Sequence, residues 1–387
     1  MSVQHIAFLI VVAALVTFLV TPVVRVVSVR YGLIDTPGGR KVHTQAISRL
    51  GGIAMFVGFG AALALQLAGE TYLGWRELLA VGGTQFAGVV AGLVIIFAVG
   101  VVDDIITLDP GPKLIGQIVA SLVVIGSGVR IDFIGHPFGS GLIALGLLGV
   151  PITLIYMVGF ANVINLIDGL DGLAAGVTAI AAATFLALTM QSNQPVAAVL
   201  AAALIGTCIG FLRYNFNPAS IFMGDSGAMF LGFALATISL LGVMKSVAAI
   251  TLAVPLLIIG VPIFDTASAI VRRIRHKRPI QEADRGHIHH RLLGRGFDQR
   301  QTVLIIYVWS AALAVGGYAV RYAATSIKLF TFIVLAGLSA LMASWLGLFD
   351  AAHHHSDEEP GEDPEEDPEE SGLAASDVVG RRENGDF

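Results

Sequence analysis

The chain has 387 residues, 55% of them hydrophobic and 13% charged. A soluble domain carries roughly 25% charged residues, so the composition excludes a soluble globular protein and identifies an integral membrane protein. The net charge of −5 hides a division: from Asp350 onward there are 14 acids and 2 arginines, a balance of −12 that leaves the rest of the chain at +7.

A spanning helix needs about 20 mostly apolar residues. About eleven segments qualify, near 4–27, 48–68, 84–102, 114–130, 141–163, 173–191, 195–212, 227–244, 247–271, 302–320 and 326–348. The first of them, within "HIAFLIVVAALVTFLVTPVVRVV", is too long for a signal-peptide core and lacks a small-residue cleavage site, so it reads as a retained helix. The single cysteine, Cys208, lies in an apolar run and permits no intrachain disulfide. Residues 1–349 read as one polytopic all-α membrane domain. Residues 350–387, Pro-punctuated and acidic, read as a disordered cytoplasmic tail in which His353–His355 belong to a solvated linker.

Lysine and arginine set the expected orientation. With the N-terminus outside, 18 basic residues fall on the cytoplasmic side and 5 on the outer side, and an odd number of spans leaves the C-terminus inside. Every polar cluster then falls on the cytoplasmic face. A transporter tends to keep its acids near the bilayer midplane, and only Asp265, within the ninth span behind Pro262, comes near that description. A single polar face suits an enzyme that joins a cytosolic substrate to a lipid-borne one. A cation or proton transporter and a nonenzymatic lipid-binding scaffold are the rival classes.

The clusters follow in chain order. "DTPGGRKVHTQAISRLGG" is a flexible basic loop with Asp35, Arg40, Lys41, His43 and Arg49, and Gly51 and Gly52 open a helix whose N-terminus favours anions. "VVDDIITLDPGPK" places Asp103 and Asp104 at a helix C-terminus, where acids oppose the dipole, with Lys113 across the loop. The acid pair can ligate Mg²⁺ or accept a proton. "NVINLIDGLDGLAAG" offers Asn165, Asp168 and Asp171 at spacings of three, so neighbouring members of the set can share a helix face. Such groups suit hydroxyls and a pyrimidine edge. In "RYNFNPASIFMGDSG", Asp225 lies between glycines just before a helix, which also describes an ordinary N-cap. Several carboxylates on one membrane face call for a divalent cation, and Mg²⁺ shares its shell with substrate phosphates. Asp265 either approaches the site or caps its helix kink. "RRIRHKRP", 272–279, reads as a positive-inside anchor. "DRGHIHHRLLGRG" carries His287, His289, His290 and Arg291, better suited to a diphosphate than to zinc, which usually adds Cys or carboxylate ligands.

The runs "AVGVVDDIITLDPGPKLIGQ", "NVINLIDGLDGLAAG", "NFNPASIFMGDSGAMFLG" and "DRGHIHHRLLGRG" together resemble the polyprenyl-phosphate N-acetylhexosamine-1-phosphate transferases in motif order and spacing, from about Asp35 to Arg300. The His-Ile-His-His-Arg-Leu run is similar to the branch that moves GlcNAc-1-phosphate. The branch that moves phospho-MurNAc-pentapeptide typically has three consecutive histidines followed by Phe-Glu. The loop departs from its branch at Ala46 and Ser48, where proline is often found.

The resemblance implies a bacterial plasma-membrane enzyme that transfers GlcNAc-1-phosphate from UDP-GlcNAc to undecaprenyl or decaprenyl phosphate and releases UMP. The alternative is the same chemistry on another UDP-N-acetylhexosamine, such as UDP-MurNAc-pentapeptide. It implies catalytic roles for Asp103, Asp104, Asp168 and Lys113, and Mg²⁺ at Asp225 with Mn²⁺ as a substitute. Asn165, Asp171, Asn215, His287, His289, His290, Arg291 and Arg49 would bind substrate. No nucleic-acid partner is expected, and there is room for a homodimer.

Overall fold

The computed structural model describes residues 2–35, 47–135, 142–242, 253–275, 287–322 and 325–347. The helices among them are α1 (Val3–Arg30), α2 (Gly51–Tyr72), α3 (Gly83–Ile106), α4 (Pro110–Gly126), α5 (Gly149–Ile167), α6 (Leu173–Gln191) and α7 (Pro195–Asn215), followed by α8 (Gly224–Gly242), α9 (Ala253–Ile258), α10 (Gly260–Arg275), α11 (Ile288–Gly294), α12 (Gln299–Tyr322) and α13 (Thr325–Leu346). Two antiparallel ribbons interrupt them: β1 (Ile34–Asp35) with β2 (Ile47–Ser48), and β3 (Phe133–Gly135) with β4 (Leu142–Ala144). The acidic tail and the basic loop residues Arg40, Lys41 and His43 lie outside the described residues.

Among the described residues, eight helices are long and apolar enough to cross a bilayer. Large apolar side chains such as Phe8, Leu15, Val94, Ile105, Ile115 and Val119 are exposed along α1, α3 and α4, the reverse of a soluble surface. The chain is a multi-pass all-α membrane protein.

The structure differs from the eleven-span expectation in three places. α4 has 17 residues, about 25 Å of helix against a hydrocarbon core of about 30 Å. The segment expected at 247–271 is split, with α9 ending at Ile258 and α10 starting at Gly260, while residues 243–252 lie outside the description. The helix expected from 141 starts at Gly149, because Leu142–Ala144 pairs as β4 instead. A short apolar run does not distinguish strand from helix by periodicity.

α8 is the central helix. Every residue from Ser226 to Gly242 is buried, against α2, α3, α5, α6 and α7. Within its apolar surroundings, polar groups pair across helices: Tyr156 of α5 shares a 2.6 Å hydrogen bond with Ser239 of α8. The amides of Gln117 in α4 and Asn162 in α5 bond reciprocally, at 3.2 and 2.7 Å. Asn162 thus joins helices.

α7 and α1 approach through Gly206 and Gly210, a small-xxx-small pair that lets backbones come close in lipid. β-Carbons there would lie 2.2 Å from the Ile10 carbonyl oxygen and 2.3 Å from that of Ala14. These contacts are with backbone, which cannot rotate aside. Gly210→Ala is therefore expected to destabilise the bundle by about 1–3 kcal/mol, the usual range for overpacking, seen as a lower unfolding temperature by circular dichroism in detergent. An unchanged midpoint would show that this helix pair is looser than described.

Candidate active site

The site forms where the ends of α3, α5 and α7 meet the starts of α4, α6 and α8. Asp103 lies in the last turn of α3. Its Oδ1 accepts the Leu108 N–H at 2.7 Å, which closes the turn towards Pro110. Proline suits the first position of a helix because no N–H is needed there. This short connection brings Lys113, in the first turn of α4, back over α3. The Lys113 ammonium lies 2.6 Å from Asp103 Oδ2 and 2.9 Å from Asp225 Oδ1. Asp225 Oδ1 also accepts from the Asn165 amide.

Asp104 does something different. Its Oδ1 accepts the Asp225 N–H at 2.7 Å, and its Oδ2 accepts the Ser226 N–H at 3.0 Å and the Ser226 hydroxyl at 2.5 Å. It therefore caps α8 from another helix, answering N–H groups that a helix start leaves unpaired. The N-cap role open to Asp225 on sequence grounds is filled by Asp104. Gly224 permits the approach: its φ is +67°, and a β-carbon would lie 2.5 Å from Asp104 Oδ1.

The Asn165–Asp171 run is not one helix face, contrary to expectation. α5 ends at Ile167, Asp168 is its C-cap residue, and Gly172, at φ +81°, turns the chain into α6. Asp171 faces the loop before α8, accepting from Asn217 Nδ2 at 3.0 Å and the Ala219 N–H at 2.9 Å. Asn215 bridges the same elements, accepting from the Gly172 N–H at 3.1 Å and donating to the Ile221 carbonyl at 3.0 Å. Both residues, expected to touch substrate, hold the loop that leads into α8. Among the described residues Asp168 has no hydrogen bond to its carboxylate. Burial, and then the nearby charges of Asp225, Asp104 and Asp171, push its pKa up to about 8.

The histidine segment lies beside this turn. A β-carbon on Gly169 would sit 2.8 Å from His289 Nε2, so His289 packs against the residue next to Asp168. Burial, and then the neighbouring His290, lower the His289 pKa to about 3, so this ring is neutral. His287 is anchored by Asp265, and His290 is half-buried with its ring 4.3 Å from that of His289. Arg291 Nη1 reaches the Leu346 carbonyl at 3.5 Å, and Arg295 lies 4.3 Å over the Trp345 ring. These cations meet the C-terminal end of α13, where a helix dipole favours them.

One further expectation changes. The first N–H groups of α2 do not face an anion: Gly51 donates to the Phe222 carbonyl at 2.9 Å and Gly52 to that of Met223 at 2.8 Å. Arg49 is exposed at the turn before α2, and its carbonyl abuts Gly224. Sequence reasoning missed Ser226, Gly224 and Tyr307, whose hydroxyl donates to the Gly172 carbonyl at 2.6 Å. Ser226 adjoins Asp225 in sequence, yet nothing local reveals that its partner comes from α3.

The donor set fits a divalent cation. Asp103, Asp168 and Asp225 are hard oxygen donors, and Lys113 is the cation that bridges two of them. Among the described residues no three carboxylate or imidazole groups converge closely enough to enclose a metal. Such a site suits an ion that takes part of its shell from substrate phosphates.

Residues 86–243 match the model of glycosyl transferase family 4. Over 338 residues, 87% of this chain and 91% of the other, the sequence is 36% identical to a Bacillus subtilis protein named probable undecaprenyl-phosphate N-acetylglucosaminyl 1-phosphate transferase. The chain belongs to this family of polyprenyl-phosphate sugar-1-phosphate transferases. A Mycolicibacterium smegmatis member, decaprenyl-phosphate N-acetylglucosaminephosphotransferase, is 38% identical over 79% of each chain. A phospho-N-acetylmuramoyl-pentapeptide-transferase of Desulforudis audaxviator is 32% identical over 80% of this chain and 97% of its own.

Asp104→Ala removes the partner of two backbone N–H groups, and a lost cap costs about 0.5–2 kcal/mol. It should lower the unfolding temperature in detergent more than Asp225→Asn, which keeps α8 capped. The reverse order would contradict the division of roles. Asp168 keeps in the folded state a proton that the unfolded chain releases near pH 4. Metal-free stability from this group therefore falls as pH rises from about 4 to about 8. Asp168→Asn removes that loss, so the variant should gain stability over the parent at pH 8 and little at pH 4. An equal difference at both pH values would show that Asp168 is ionised throughout.

Proposed function

We propose that the chain transfers GlcNAc-1-phosphate from UDP-GlcNAc to a polyprenyl phosphate, undecaprenyl or decaprenyl, in the inner leaflet of the plasma membrane. An oxygen of the lipid phosphate forms a bond to the β-phosphorus. The bond from that phosphorus to the oxygen bridging the two phosphates breaks, and UMP leaves with the electron pair. The observation that carries this reading is the convergence of Asp103, Lys113, Asn165 and Asp225 at the helix ends, in a chain whose relatives bear these transferase names.

Lys113 places a positive charge where an acceptor phosphate would approach, and it is held there by two carboxylates. A phosphate monoester has its second pKa near 6, so little is gained from a general base at neutral pH. Asp103 thereby acts through position more than through proton transfer. Asn165 holds Asp225, and Asp104 holds the start of α8 beneath it. Asp225 and Asp103 would hold Mg²⁺, with Mn²⁺ as a substitute. When bound, the ion supplies charge neutralisation between two anionic reactants and polarises the β-phosphate. His290 and Arg291 lie on the short helix beside the acids, within the segment read as facing the diphosphate or amino sugar. The 18 to 5 bias of basic residues supports a cytoplasmic site with the N-terminus outside, and Arg30 and Arg213 close α1 and α7.

The second reading is the same chemistry on another UDP-N-acetylhexosamine, favoured by the 32% identity to a phospho-N-acetylmuramoyl-pentapeptide-transferase. Purified protein in detergent, supplied with polyprenyl phosphate and Mg²⁺, is tested against a panel of UDP-sugars. UMP and lipid-linked GlcNAc are expected together with UDP-GlcNAc, and both are lost with EDTA. Product only with a different UDP-sugar would keep the chemistry and overturn the donor. Product undiminished by EDTA would overturn the metal.

A further inference from the structure

Asp265 is an acid in the body of α10, 3% exposed. Both of its oxygens reach one place. Oδ1 accepts the Ile288 N–H at 2.8 Å, and Oδ2 lies 3.0 Å from His287 Nδ1. A small cavity beside it is lined by Ile167, Leu173, Val261, Pro262, Ile288 and Ile306, with His289 the one other polar side chain. A buried carboxylate without donors is costly, so these two contacts account for its presence.

The two contacts differ in what they do. The bond from Ile288 caps the start of α11, where His287 itself makes no side-chain cap. The bond from His287 sets the tautomer. A neutral imidazole has one N–H and one lone pair, and its partner decides which nitrogen carries the proton. A carboxylate only accepts, so Nδ1 carries a proton, and in the neutral ring Nε2 then holds the lone pair. The His287 ring lies parallel to that of His289, 9° apart with centroids at 5.7 Å, and His289 packs on Gly169 beside the acids. One line of contacts therefore runs from Asp265 to the site.

We propose that Asp265 is a positioning residue for the transfer. It holds His287 as the Nδ1–H tautomer and leaves Nε2 to accept from a hydroxyl or the N-acetyl N–H of the sugar nucleotide. The proposal rests on the reading that this segment meets the donor sugar.

Asp265→Asn separates the cap from the tautomer. The amide oxygen still accepts from Ile288, while the amide nitrogen now faces Nδ1 and drives the proton to Nε2. The test uses full-length protein with ¹⁵N-labelled histidine, in detergent, with the His287 signals identified by their loss in His287→Gln. Transfer kinetics are measured on the parent, both single variants and the double variant.

The parent is expected to show a protonated Nδ1 and a bare Nε2 at His287, and Asp265→Asn to show the opposite with little change in unfolding temperature. Asp265→Asn should lower kcat/KM for UDP-GlcNAc by about 10–100-fold, the range for outer-shell partners of metal-binding histidines. The double variant should be no worse than His287→Gln alone. A proton on Nε2 in the parent, full activity in either single variant, or an undiminished effect of Asp265→Asn in the His287→Gln background would each overturn the proposal. If Asp265→Asn does not fold, the parent spectrum and the His287→Gln kinetics decide it. No transfer from any UDP-sugar would instead overturn the proposed function, with the tautomer still decided by the spectrum.

Discussion

The carboxylate of Asp104 at the N-terminus of α8 is the contact on which the site depends. The central helix starts amid other helices, where its first N–H groups have little access to water. Asp104 meets those of Asp225 and Ser226 together with the Ser226 hydroxyl. An anion at this position also complements the helix dipole. Because α3 supplies the cap, the Asp225 side chain is left to point at Lys113 and Asn165. One acid completes the fold, and a second is left facing the lysine and the amide.

The same division runs through the other acids. Asp171 binds the loop before α8, and Asp265 binds the start of α11. Asp103 and Asp225 share the ammonium of Lys113. Asp168 is left with three like charges nearby. Acids this close to a bilayer are costly, and each structural one is matched to N–H donors. Asp103 and Asp225 share a single lysine, and the proposed divalent cation would offset the remaining negative charge.

Much of this was legible in the sequence. The membrane class followed from composition, whereas the side of the membrane on which the motifs lie rests on the Lys and Arg counts alone. Each motif lies at a helix end because Gly, Pro, Asn and Asp interrupt the apolar runs there. The roles within a motif were less legible. Asp103 and Asp104 are neighbours, but a turn of about 100° sends one to Lys113 and the other to α8, and only the packing of α3 on α8 decides which. Asp225 carried every local mark of an N-cap, yet the cap comes from a residue 121 positions earlier. Asp168 and Asp171 have helical spacing, but α5 ends at Ile167 and α6 begins only after Gly172. The span at 247–271 looked continuous because hydropathy averages over the break at Ile259.

The most direct test of the account is Mn²⁺ binding by electron paramagnetic resonance, on the purified parent and Asp225→Asn in the presence of UDP-GlcNAc. A bound Mn²⁺ signal is expected in the parent and is expected to disappear in the variant while its helical circular dichroism is unchanged. A variant that binds Mn²⁺ as the parent does would contradict it, because Asp225 would then not be the carboxylate that the Asp104 cap sets free for a cation.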